Sequence, residues 1–141
     1  MAENIYNEVL IDHNLHPAHM HELPCATCSN DGLNPTCGDQ LTLNLVIDNG
    51  IIKDGSFTGV GCAISHASTD IMLDLVIGRT VNEGKHLVGL FSKMISGSIT
   101  DEELDELEEA GALQSIAKMP ARVKCATLGW KTLEKLLDEK T

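Results

Sequence analysis

Alternating apolar and polar positions in the first half of the chain predict a β-hairpin. Every second position of one segment is apolar, as expected for a strand that buries one face: Leu41, Leu43, Leu45 and Ile47. The turn-forming residues Asp48-Asn49-Gly50 follow, and a second extended run covers residues 51–60. This arrangement predicts two antiparallel strands joined by a tight turn.

Apolar residues spaced three and four positions apart predict helices in the second half. One helix begins beside Cys62 and is expected to stop near Gly78. Its apolar positions are Ile64, Ala67, Ile71 and Leu75. Pro120 precedes a last amphipathic helix. Its apolar positions are Val123, Ala126, Trp130, Leu133 and Leu137.

Two capping-box patterns predict further helix starts. In such a box, a threonine side chain and a glutamate three residues later each accept a backbone N–H of the first turn. Thr80 and Glu83 precede a helix that reaches about Ser96. Thr100 and Glu103 precede the acidic stretch of residues 101–110, which we expect to form a short exposed helix.

The segment before the hairpin is expected to be less regular. Residues 3–15 predict a helix that ends before Pro17, because the residue preceding proline avoids the helical region. Residues 17–38 hold three of the four prolines and three of the five cysteines without a clear period, and predict an irregular loop. A third strand around residues 33–40 is an open alternative.

These elements predict an α+β fold, with a small antiparallel sheet of two to three strands and helices packed on one face. At 141 residues the chain is expected to form a single domain over residues 1–141. The net charge of -11 and the 3% aromatic content argue against nucleic-acid binding, which needs cationic and stacking side chains. Protein partners are favoured instead.

The N-terminal sequence predicts a cytoplasmic protein with no membrane contact. It lacks the basic start, apolar stretch and cleavage site of a secretory signal, and no later segment has about 18 uninterrupted apolar residues. Cytoplasmic cysteines are kept reduced, so the five cysteines point to metal binding or thiol chemistry rather than to disulfides.

Three cysteines fall where predicted elements begin or end. Cys37 precedes the first hairpin strand, Cys62 lies between the second strand and a helix, and Cys125 lies near the start of the last helix. The positive end of a helix dipole stabilises a thiolate, which is the form that binds metal. Asp39 lies two residues after Cys37, so an extended strand would turn both side chains to one face.

The expected site is therefore one metal ion held by Cys37, Asp39, Cys62 and Cys125. Three thiolates and a carboxylate suit tetrahedral zinc. Each residue also has a simpler interpretation, since a buried cysteine is often only a small apolar side chain and Asp39 could cap a turn.

Three segments around these cysteines carry a family resemblance. Residues 34–39 (NPTCGD), 59–65 (GVGCAIS) and 122–126 (RVKCA) resemble the IscU/NifU N-terminal family of iron–sulfur cluster assembly proteins. The long segment between Cys62 and Cys125, and Lys124 before Cys125, resemble the SufU branch. IscU proteins have histidine at the position of Lys124.

The resemblance to the SufU branch implies a zinc-dependent sulfurtransferase. Its acceptor would be Cys37, which takes persulfide sulfur from a cysteine desulfurase and passes it to downstream cluster-assembly proteins. Asp39, Cys62 and Cys125 would hold the zinc. Two alternatives stay open: a scaffold that assembles a transient [2Fe–2S] cluster on the same residues, and a structural zinc domain that mediates protein contacts.

Other candidate ligands are less favoured. Cys25 and Cys28 form a C-x-x-C pair, a spacing known from zinc and redox sites; we favour ordinary loop cysteines over an independent metal or redox role, because a zinc ribbon needs a second close pair. The N-terminal histidines His13, His16, His19 and His21 could bind metal, but Pro17 interrupts their helix, so packing or partner docking is favoured. His66 and His86 fall on predicted helices and give no functional signal.

Overall fold

The predicted hairpin forms the centre of the structure. The computed structural model describes residues 8–35 and 38–139, in which strands β2 (Asp39–Asp48) and β3 (Ile51–Val60) pair antiparallel. Asn49 and Gly50 form the two-residue turn with φ angles of 53° and 75°. Asn-Gly suits this turn because these residues adopt positive φ at low cost.

Strand β1 (Cys28–Asn34) pairs antiparallel with β2 and completes a three-stranded sheet in the order β1-β2-β3. The prediction of an irregular loop over residues 17–38 is therefore wrong for this stretch. The third strand also lies earlier than the alternative around residues 33–40. Its sequence shows no apolar alternation because it is an edge strand in which only Gly32 and Asn34 are buried. Pairing with β2, rather than its own pattern, makes it a strand.

Helices account for most of the remaining described chain: α1 (Glu8–Leu15), α2 (Ala63–Val76), α3 (Val81–Ser96), α4 (Asp101–Glu106) and α5 (Pro120–Glu139). Residues 3–7 of the predicted first helix lie outside the described residues. Both capping boxes are confirmed, with Thr80 and Thr100 as the N-caps. Within the described ranges, no helix is both long enough and apolar enough to cross a lipid bilayer.

A 3₁₀ helix (Glu108–Lys118) follows α4 and was not predicted. The expected exposed acidic helix of residues 101–110 therefore ends early, at Glu106. Leu107 and Ala110 are fully buried, and Leu113 and Ile116 are buried further along the same segment. The many acidic residues of this region masked the apolar periodicity in the sequence. The local structure is set by tertiary packing of the four apolar side chains.

The helices pack on one face of the sheet, and the predicted α+β architecture is confirmed. α5 contacts β1, β2, α2 and α3, and α2 contacts β3, so these two helices join the sheet to the other helices. Trp130 of α5 is 1% exposed and stacks on Phe91 of α3, with ring centroids 4.1 Å apart and planes at 5°. This packing holds α5 against α3, while Cys125 in the second turn of α5 lies at the end of the sheet at which β2 begins and β3 passes into α2.

Candidate metal centre

Asp39, Cys62 and Cys125 come together at that end of the sheet. One ligand atom from each residue lies within 4.8 Å of the other two. Asp39 is the first residue of β2, Cys62 is the N-cap of α2, and Cys125 lies in α5. We call these three residues the Asp39 cluster. Cys37, the fourth expected ligand, lies outside the described residues.

Cys62 is positioned by the connection from β3 to α2. Its φ and ψ angles of -83° and 172° are extended, as is usual for an N-cap, but its side chain makes no capping hydrogen bond. The thiol therefore stays available as a ligand. Gly61 precedes it, and a Cβ atom there would clash with Ser65 Oγ and lie 3.3 Å from Asp39 Oδ1. A side chain at this position would displace the Ser65 hydroxyl and crowd the Asp39 carboxylate.

The two oxygens of Asp39 have different surroundings. Oδ1 accepts a hydrogen bond from the backbone N–H of Cys62 at 3.1 Å, so the carboxylate does cap the start of α2. Oδ2 is buried and has no hydrogen-bond partner among residues 8–35 and 38–139, and the residue is only 2% exposed. A buried carboxylate oxygen without a partner is costly unless a cation balances it. Oδ2 therefore has the properties expected of a metal ligand.

Cys125 lies deeper in its helix than the sequence suggested. α5 begins at Pro120, so Cys125 is its sixth residue and lies in the second turn, beyond the strongest part of the helix dipole. The thiol is 2% exposed. Burial, rather than the dipole, is thus the main feature of its environment.

A hydrogen-bond network holds α5 against α2 beside this thiol. Ser68 Oγ donates to the carbonyl oxygen of Ala126 at 2.6 Å and accepts from Trp130 Nε1 at 3.0 Å. All three groups are buried. The network fixes the helix that carries Cys125 relative to the helix that begins at Cys62.

The donor set of the Asp39 cluster fits zinc. Two thiols and a carboxylate are typical zinc donors, and tetrahedral coordination needs one more. Cys37 precedes Asp39 by two residues, which span at most about 7 Å of chain, so its thiol is within reach of the same ion. The thiols of Cys62 and Cys125 are reduced. The residues present are consistent with one zinc ion per chain.

His66 lies beside the cluster and was missed in the sequence analysis. It follows Cys62 by four residues on α2, and this spacing, which places two side chains on one helical face, was the available signal. Burial lowers the pKa of His66, while the charge of Asp39 partly opposes that effect. The ring packs against Phe57 with centroids 5.8 Å apart. A neutral imidazole therefore borders the site.

The other candidate residues lie elsewhere. Cys25 is exposed and Cys28 is half-buried at the start of β1, and neither joins a group of possible metal ligands among the described residues. His13 is buried, and its Nδ1 lies 2.6 Å from Oδ2 of Asp70. His86 is exposed and pairs with Glu106.

The fold and the cluster together define a small α+β protein with a candidate metal centre formed by two cysteines and an aspartate. The NifU-like N-terminal domain family matches residues 5–138, so the chain belongs to that family of iron–sulfur cluster assembly proteins.

Individual relatives agree with this assignment. The chain is 38% identical to the zinc-dependent sulfurtransferase SufU of Bacillus subtilis, over 94% of this chain and 89% of that protein. It is also 38% identical to the iron–sulfur cluster assembly scaffold protein IscU of Thermotoga maritima, over 94% and 92% of the two chains.

A solved structure has the same fold. The crystal structure of a candidate SUF-system scaffold protein from Fervidobacterium islandicum superposes with a TM-score of 0.88 at 35% identity, over 94% of this chain and 96% of that one. The N-terminal part of a NifU-like protein from Brucella abortus shares the fold with a TM-score of 0.84 at 19% identity, over 97% and 96% of the two chains.

The Ser68 network generates a prediction about stability and site geometry. Ser68→Ala should lower the free energy of unfolding by about 1–3 kcal/mol, because it leaves the buried Trp130 N–H without its acceptor. Zinc affinity should also fall, since α5 carries Cys125. Urea unfolding of the zinc-loaded and chelator-treated proteins measures both effects. Ser92→Ala, at an exposed position of α3, is the matched control, and equal unfolding midpoints for the two variants would contradict the role of the network.

Proposed function

We propose that this protein is a zinc-dependent sulfurtransferase of iron–sulfur cluster assembly, which accepts persulfide sulfur on Cys37 and passes it on. The observation that carries the proposal is the buried Asp39 Oδ2, which has no hydrogen-bond partner within the described part of the chain and lies beside the thiols of Cys62 and Cys125. Lys124 supports transfer over cluster holding, because a protonated lysine has no lone pair for iron whereas a neutral histidine does. The similarity to the Bacillus subtilis SufU is in agreement.

Four residues would hold the zinc in this proposal: Cys37, Asp39, Cys62 and Cys125. A bound zinc ion would keep the thiols deprotonated and protected from oxidants. Asp39, Cys62 and Cys125 come from a strand and two helices, so they form the rigid part of the site. Cys37 is joined to them through Gly38, which has a φ of 75° and open space where a Cβ would be. Cys37 is therefore the ligand best suited to leave.

Sulfur transfer would then be a thiol–persulfide exchange at Cys37. Its thiolate attacks the outer sulfur of a persulfide on the cysteine desulfurase. A new S–S bond forms at Cys37, the S–S bond on the desulfurase breaks, and the desulfurase cysteine leaves as a thiolate. The outer sulfur keeps its proton or charge, so no external oxidant or reductant is needed. A second exchange would deliver the sulfur to a downstream cluster-assembly protein.

The surface near the cluster supports docking of a protein donor. Leu33 of β1 and Val60 of β3 are 65% and 72% exposed, and both pair with Gln40 across the sheet. This row lies next to Asp39 and offers apolar contact area to a partner. We propose the cysteine desulfurase as that partner. We also propose that residues 1–141 form one domain that acts in the cytoplasm, without a nucleic-acid or membrane partner.

A scaffold function is the second candidate, favoured by the name of the Thermotoga maritima relative. In that case the same residues would carry a transient [2Fe–2S] cluster as cargo. Anaerobic reconstitution of the zinc-free protein with iron and sulfide separates the two functions. We expect no stable coloured cluster, because Lys124 offers no ligand. Full cluster occupancy would favour the scaffold.

The acceptor role of Cys37 generates a direct prediction. Cys37→Ser should abolish persulfide loading and the stimulation of a cysteine desulfurase, because serine cannot form an S–S bond. Mass spectrometry after incubation with desulfurase and cysteine detects the added sulfur. Cys25→Ser, which changes an exposed cysteine, is the matched control and should load like the unchanged protein. Persulfide on a Cys37→Ser protein would disprove the acceptor role.

Alkylation tests the third alternative. Cysteines that stay inert to alkylating reagents after zinc is chelated would indicate a structural zinc domain.

The proposed role of Asp39 generates a second prediction. Asp39→Asn retains an oxygen for the Cys62 N–H but removes the negative charge, so zinc affinity should fall at least about tenfold while the fold is kept. Competition with a chromophoric chelator measures the affinity, and far-ultraviolet circular dichroism checks the fold. Asp54→Asn, at an exposed position of β3, serves as the control. Equal zinc affinities would show that Asp39 is a helix cap only.

A further inference from the structure

A second group of possible metal ligands lies at the other end of α2. His13 near the end of α1, Asp74 of α2 and Glu109 of the 3₁₀ helix have ligand atoms within 4.8 Å of one another. We call these residues the His13 cluster. Asp74 follows Cys62 by twelve residues, which places the two ends about 18 Å apart along the helix axis. The two groups of ligands are therefore separate.

A buried carboxylate orients His13 within this cluster. Its Nδ1 lies 2.6 Å from Oδ2 of Asp70, whose residue is 0% exposed. Asp70 is the acceptor in this bond, so Nδ1 carries the proton and Nε2 is the atom turned towards the cluster. Metal-binding histidines commonly donate their other ring N–H to a carboxylate in this way, which holds the ring and strengthens the ligand.

Nε2 of His13 faces two more carboxylates. It lies 2.9 Å from Glu109 Oε1 and 3.9 Å from Asp74 Oδ2. An unprotonated Nε2 would direct its lone pair at these negative oxygens, which is unfavourable without a cation between them. The surroundings thus select for a positive charge at this point, either a proton or a metal ion.

His19 helps to orient Asp74 within this cluster. Its Nε2 lies 2.7 Å from Oδ1 of Asp74, and its backbone N–H donates to Oδ1 of Asp70 at 2.8 Å. Asp70 therefore positions both the His13 ring and the His19 backbone, while His19 holds one oxygen of Asp74 and leaves the other directed at His13. Three carboxylates around one imidazole exceed the charge that a single proton can balance, and a divalent ion balances more of it.

We propose that His13 Nε2, Asp74 and Glu109 form a binding site for a divalent transition-metal ion of the zinc class. Imidazole nitrogen with carboxylate oxygen suits zinc and its neighbours, whereas calcium and magnesium prefer oxygen donors alone. Asp74 and Glu109 also line a cavity of about 190 Å³, so water can reach their carboxylates. Three protein ligands with one open position are a common arrangement for zinc.

Such an ion would join three separate parts of the chain. His13 comes from α1, Asp74 from α2 and Glu109 from the 3₁₀ helix, so metal binding would hold the N-terminal helix on the body of the protein. The inference does not rest on the proposed sulfur transfer, because it uses none of the residues of the Asp39 cluster.

Zinc titration of the full-length protein by isothermal calorimetry tests the site. After the first equivalent is bound, we expect a second equivalent in the unchanged protein. Glu109→Gln and Asp74→Asn should each weaken it at least about tenfold, the loss typical even of removing a group that only orients a ligand. Both side chains are partly exposed, at 60% and 46%, so these variants should fold. Glu102→Gln, an exposed acid on α4, is the charge-matched control.

Cobalt(II) binding separates this site from the cysteine site. Cobalt bound to thiolates gives an intense charge-transfer band, and cobalt in the His13 cluster should add only weaker visible bands. Loss of these weaker bands in Glu109→Gln, with the thiolate band unchanged, supports the proposal. Absence of a second equivalent, or equal weakening in Glu102→Gln, overturns it. Failure of the cysteine site would remove the thiolate band instead, so the two outcomes are distinguishable.

Discussion

The arrangement of the candidate metal centre depends on the divided role of the Asp39 carboxylate. One oxygen accepts the backbone N–H of Cys62 and so fixes the start of α2 against the start of β2. The other is buried beside two thiols without a partner among the described residues. A buried charge needs compensation. The carboxylate that joins the sheet to the helix through one oxygen therefore favours binding of a cation at the other.

Helix α2 links the chemical features of the described chain. Its N-cap carries Cys62, its middle carries Ser68, which bonds to α5, and its C-terminal half carries Asp70 and Asp74 of the histidine-rich region. Ser68 and Trp130 keep α5 in register with α2, so the positions of Cys62 and Cys125 are coupled. A substitution that shifts α2 is therefore expected to change the positions of Cys62 at one end and of Asp74 at the other.

Membership of the NifU-like N-terminal domain family explains the shared fold but leaves the chemistry to individual side chains. Relatives at the same 38% identity are named a sulfurtransferase and a scaffold. In the proposed function, Lys124 favours sulfur transfer because a protonated lysine has no lone pair for iron, whereas a neutral histidine does.

Much of this structure could be predicted from the sequence because it rests on local patterns. Alternation and Asn49-Gly50 predicted the hairpin, capping boxes predicted α3 and α4, and the spacing of Cys37 and Asp39 suggested a shared site. Strand β1, the 3₁₀ helix and the contacts of His13 and His66 came only from the tertiary structure. Their stability depends on partners distant in sequence: β1 needs β2 to pair with, and His13 needs Asp70, 57 residues away. Local periodicity does not reveal which distant residues pair, so these features are determined only in the folded chain.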